Sequence, residues 1–145
     1  MLDTSEFERW REASELAGRG ARVQAAAGVH NWACFLAEQA AQLAVKGVLH
    51  GMGTGPWGHD LVRLSDAVGE ASGLAFPPEV VAAARRLSRH YIATRYPDAH
   101  ASGAPGTHYG EEDSAHALAD LEIVLRFVDQ LWEKLRRADE DAHER

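Results

Sequence analysis

The chain has a single cysteine, Cys34, so no internal disulfide can hold it. Its neighbours Trp32, Phe35 and Leu36 mark that thiol as a small apolar packing group rather than a nucleophile. No run of 18 or more apolar residues occurs, which excludes a helix that spans a bilayer. The opening residues, Met1 to Glu6, are acidic instead of a basic flank before an apolar stretch, so no signal peptide is expected and the expected location is cytoplasmic. Positive charge is also in deficit. A formal charge of -7 excludes a protein that coats nucleic acid by bulk electrostatics, because phosphate affinity accumulates from Lys and Arg contacts. Metal signatures are missing too: there is no His-Glu-x-x-His, and His108 and His116 stand eight apart with no cysteine nearby. No metal and no cofactor is expected. The glycines at 51, 53, 55 and 58 follow a helical stretch and lack the lysine of a phosphate loop, so they read as a flexible connection.

What is present is helical spacing. With 145 residues, 46% of them hydrophobic, the chain suits one domain with a real core. No segment alternates polar and apolar residues between hairpin turns. The pattern predicts an all-α fold, an up-and-down bundle of about five helices. The first starts at Thr4 or Ser5, which can accept from free first-turn amides, and Gly18 and Gly20 weaken its second half. The second, from about Asn31 to His50, is apolar on most sides and is expected to be the central one; its alanines at 37, 40, 41 and 44 permit close approach. A third is expected from about His59 to Ala71. A fourth follows Pro77 and Pro78, carries Val80, Ala84, Leu87 and Tyr91 on one stripe, and ends before Pro97. The last runs from about Glu111 to Arg137, with Leu118, Leu121, Leu125, Val128, Trp132 and Leu135 at alternating spacings of three and four. Residues 1–138 thus form the domain, and 139–145 a charged tail expected to fray. Five helices leave apolar surface of the second and last ones to be covered, which predicts a homodimer.

Local charge picks out the candidate chemistry. Between Glu79 and Asp98 the chain carries Arg85, Arg86, Arg89 and Arg95 and no acid. Arg85 and Arg89 are four apart, as are Arg86 and His90, giving two cationic ridges on the fourth helix. They read either as a solvated face paired to acids on neighbouring helices or as a surface for RNA or nucleotide phosphate. Just beyond, Arg95 and His100 enclose four residues. Metal-independent RNA cleavage needs a base, an acid and a cation at the phosphate, and histidine with arginine supplies these. His59, beside Asp60, either caps the third helix or reaches a nucleotide pocket. Trp57 is a stacking residue or sits at the edge of the core, and Tyr109 lines a site or anchors the last helix.

Three segments carry a family resemblance. The stretch from Asn31 to Lys46 has an aromatic, small-residue and Gln-Ala-Ala pattern leading to a lysine; Gly58-His59-Asp60-Leu61 follows; and Tyr91 to Asp98 holds Arg-Tyr-Pro-Asp. In order and spacing these resemble the HEPN family, nucleotide-binding helical domains of higher eukaryotes and prokaryotes, and with Phe7, Glu8 and Trp10 the likeness covers the chain to about Ala138. The resemblance implies a bundle that commonly dimerises, often encoded beside a small nucleotidyltransferase. It also implies that many relatives act as RNase toxins of toxin-antitoxin pairs through an Arg, four to six residues, His motif, whose places Arg95 and His100 take here. The alternative it carries is a non-catalytic dimeric module that binds nucleotide or docks the nucleotidyltransferase. Active members tend to have a polar residue after the arginine, where this chain has Tyr96; Pro97 makes the segment a turn, and Asp98 is placed to pair with a neighbouring cation.

Overall fold

The computed structural model describes all 145 residues as five α-helices with no strand: α1 (Thr4–Ala26), α2 (His30–Gly51), α3 (Leu61–Ser72), α4 (Pro78–Ser88) and α5 (Glu111–Glu144). Two short 3-10 turns, Pro97–Ala99 and Pro105–His108, lie in the connection before α5. Hydrogen bonds and packed rings between the helices fix the directions. The Asp3 amide donates to the Gly51 carbonyl at 2.7 Å, so α1 begins where α2 ends. Arg11 pairs with Asp129, and the Leu2 amide reaches Asp139, which sets α1 antiparallel to α5. Arg86 pairs with Asp120 while Phe76 packs edge-on to Phe127, so α4 also runs antiparallel to α5.

Helix α2 is the centre of the bundle, with 13 of its 22 residues buried. Its alanines at 37, 40, 41 and 44 are fully enclosed, and the absence of bulk there lets α1 lie close enough for Ser14 Oγ to donate to the Ala40 carbonyl at 2.7 Å. The α5 stripe closes the other side through Leu121, Val124, Val128 and Trp132. Phe7 stacks on Trp132 with ring centroids 4.2 Å apart, tying α1 to that stripe. The thiol of Cys34 is buried and pushed up to about 12 by loss of hydration, which suits a packing group. No helix is long and apolar enough to cross a membrane.

Several boundaries differ from the sequence reading. The first-turn amide of α1 is capped by Asp3, whose carboxylate accepts from Glu6, rather than by Thr4 or Ser5. Gly18 and Gly20 do not end α1, since Gly18 lies buried against Leu121 and Ala40, where packing outweighs its propensity cost. Helix α4 stops at Ser88, short of Tyr96. Beyond it Thr94 and Arg95 turn their own side chains onto the carbonyls of His90 and Tyr91, competing with a regular ladder. Helix α5 continues through the residues expected to fray, to Glu144, carried by Arg136 and Arg137 pairing with Glu133, and Arg136 also with Glu140.

Candidate functional site

Two polar clusters flank the segment between α4 and α5. The first is built on α2. Glu38 is fully enclosed, although a carboxylate in a helix core is costly unless its oxygens are satisfied. Gln39 donates to it at 2.8 Å and Gln42, one turn on, donates to its other oxygen. Burial pushes the Glu38 carboxyl above its ordinary range, against those two hydrogen bonds and the nearby charges of Arg95 and Lys46. The same burial holds the Lys46 ammonium low, with Glu38 opposing it. Gln42 in turn faces His59 Nδ1 at 3.3 Å, and the His59 ring stacks on Tyr91 at 5.0 Å.

Arg95 closes this cluster. Its guanidinium donates from Nε to the Tyr91 carbonyl at 2.9 Å and lies 4.3 Å from the Phe35 ring, 4.8 Å from Tyr91 and 5.0 Å from Tyr96. Three ring faces round one guanidinium form a cation cage. Trp32 stands edge-on to Phe35, and Trp32 and Tyr96 leave 44% and 45% of their surface exposed at its rim, while Ile92, whose carbonyl accepts from the Tyr96 amide, leaves 49%.

The second cluster is made of histidines. His100 Nε2 lies 2.6 Å from the Ala93 carbonyl; a carbonyl only accepts, so Nε2 carries the proton and donates, leaving Nδ1 as the free lone pair in the neutral ring. Its ring stacks on His108 at 4.2 Å and only 6° from parallel, and Tyr109 stands edge-on. His108 likewise donates from Nε2 to the Ser102 carbonyl. Tyr109 also meets His90, whose Nδ1 is buried without a partner and whose burial holds the ring below its ordinary imidazole range despite Asp113 and Asp120.

The residues singled out in the sequence therefore separate. Arg95, Tyr96 and His59 join the α2 cluster, while His100, His90 and Tyr109 join the histidine cluster. Arg95 and His100 share no hydrogen bond and no packing ring. Arg86 is held by a two-pronged pair with Asp120, at 2.9 and 2.8 Å. Arg85 and Arg89 are exposed and make no ion pair within the chain. Asp98 is exposed and forms no ion pair, so the expected pairing is not made. His59 does not cap α3: Asp60 does, accepting from Val62 and Arg63. Glu38 and Gln42 carry no expectation from the sequence, and His108 enters there only with His116, as a pair that makes no metal signature. For Glu38 the signal was there, an acid one turn from Cys34 and from Ala41 on the helix with the most apolar faces.

An antiparallel helical bundle with an arginine caged by aromatic rings, a buried glutamate on the central helix and a histidine-rich turn defines the class. Comparison with known proteins defines the family: the model of the HEPN domain matches residues 7–134, and this chain belongs to the HEPN family. It is similar to TT1696 from Thermus thermophilus, at 35% identity and a TM-score of 0.83, over 87% of this chain and 98% of that one. It is also similar to ST0689, an archaeal HEPN homologue, at 31% identity and a TM-score of 0.71, over 87% and 98%. A HEPN domain protein from Thermotoga maritima, TM0613, is 29% identical with a TM-score of 0.66, over 86% and 98%. No curated protein matches.

Proposed function

We infer that this HEPN chain binds RNA or nucleotide phosphate as a dimer without cleaving it. The observation that carries this reading is the divergence of Arg95 and His100. A cleavage site needs the cation and the base at one phosphate, whereas here the guanidinium is taken up by the Tyr91 carbonyl and three rings, and the imidazole is turned onto Ala93 and His108. Arg85 and Arg89, four apart and unpaired, supply the anion site. The apolar rim of Trp32, Ile92 and Tyr96 is the face assigned to a second copy, and a nucleotidyltransferase partner would compete for the same rim.

The test uses labelled single-stranded RNA and ATP with chelator-treated protein. Binding that weakens with salt, a loss of about tenfold in Arg85→Ala/Arg89→Ala, and RNA that stays intact are expected. Cleavage by the parent that His100→Ala abolishes would overturn the reading in favour of a metal-independent endoribonuclease, and so would the absence of any binding. Light scattering at micromolar concentration checks the dimer, which a clean monomer refutes.

A further inference from the structure

We propose that the recess between the glycine-rich connection and α3 is a second binding site, one that takes a small aromatic anion. It shares no residue with either cluster above. Leu49 and Leu64 form its floor, Pro56 and Ala67 its sides, and Trp57 and Arg63 its rim, around a volume of about 290 Å³. That is room for one or two fused rings, at the lower end of small-molecule sites.

Three features give the occupant its chemistry. The Trp57 indole is 92% exposed, far more than any other tryptophan, yet it borders an apolar recess. A flat ring laid in the recess would cover the indole face and gain offset stacking. Gly53 at φ +79° and Gly58 at φ +87° bracket the connection, holding it in turns that other residues resist, so Trp57 stays presented beside α3. The second feature is charge: Arg63 is the only charged residue of the lining, it makes no ion pair, and no acid lines the recess although the whole chain carries -7. The third is a set of backbone donors, since the amides of Gly55 and Trp57 make no hydrogen bond within the chain. A ring bearing one carboxylate or phosphate would satisfy all three, its ring on Leu49, Leu64 and Trp57 and its anion on Arg63.

Amide chemical-shift mapping of the full chain by NMR tests this with three probes: indole-3-acetate, phenyl phosphate and the neutral 3-methylindole. At least one anion is expected to shift the amides of Gly55, Trp57 and Leu64 saturably and to bind about tenfold more tightly than 3-methylindole, with the tighter of the two naming the anion. Arg63→Gln, an exposed change that leaves the core untouched, is expected to remove that preference, and Trp57→Ala to weaken all three probes. Equal binding of neutral and anionic probes would overturn the proposal, and would point to an apolar side chain of a partner instead. Shifts confined to other residues, or an unchanged preference in Arg63→Gln, would overturn it as well.

Discussion

Gly51 shows how little room the bundle leaves at a single residue. A Cβ there would stand 2.4 Å and 2.7 Å from two atoms of the Trp132 ring and 3.1 Å from Phe7 Cβ, at the point where those two rings stack. Neither ring can withdraw, since both belong to the core. Gly51→Ala is therefore expected to cost about 1 to 3 kcal/mol by overpacking. Gly55→Ala, where a Cβ meets nothing, should stay within about 0.5 kcal/mol. Urea denaturation of the two variants decides it, and equal midpoints would show that the Phe7 and Trp132 stack yields. The sequence could not reveal this constraint. Gly51 reads there as the first residue of a flexible connection, and the ring that confines it comes from a helix far along the chain.

At the scale of elements, the ion pair between Arg86 on α4 and Asp120 on α5 is a tie that the sequence reading left open between a paired face and an anion site. The geometry is two-pronged, but Arg86 is half exposed while the Asp120 side chain is only 9% exposed, so screening takes much of its value. A double-mutant cycle of Asp120→Asn and Arg86→Met is expected to give a coupling of about 0.5 to 1 kcal/mol that shrinks in high salt. Zero coupling at low salt would assign the tie between α4 and α5 to their apolar contacts alone. Helix identity was legible because periodicity is a property of each segment: α2 and α5 were visible from spacing, and Pro77 and Pro78 marked the start of α4. The end of α4 was not legible, because it depends on Thr94 and Arg95 folding back onto local carbonyls, a choice that helical propensity does not encode. For the candidate site, Arg95 and His100 were visible as types and spacing. Their separation into two clusters was not, since it is set by rings from α2 and from the turn before α5.

Across the whole molecule, a buried and a half-buried group give stability opposite dependences on pH. Glu38 has its carboxyl pushed above the ordinary 4.5 by burial, with Gln42, Gln39, Arg95 and Lys46 around it pulling the other way. The folded chain holds that proton more tightly than the unfolded one. Its contribution is therefore fully present below pH 4.5 and is lost as pH rises through the folded value. His90 is held below its ordinary 6.5, first by burial and also by Arg89, with Asp113 and Asp120 opposing. The unfolded chain takes up that proton first, so its contribution is present above pH 6.5 and falls away on acidification. The two can be separated by variants that cannot titrate. Relative to the parent, Glu38→Gln should gain stability progressively as pH climbs above 4.5, because a buried charge is no longer demanded. His90→Gln should gain relative to the parent only as pH drops below 6.5. Chemical denaturation across that range reads both. A difference curve for Glu38→Gln that stays flat with pH would mean that water or Arg95 compensates the charge fully, and the cluster on α2 would then be a satisfied ion pair instead of a carboxyl held against its ionisation.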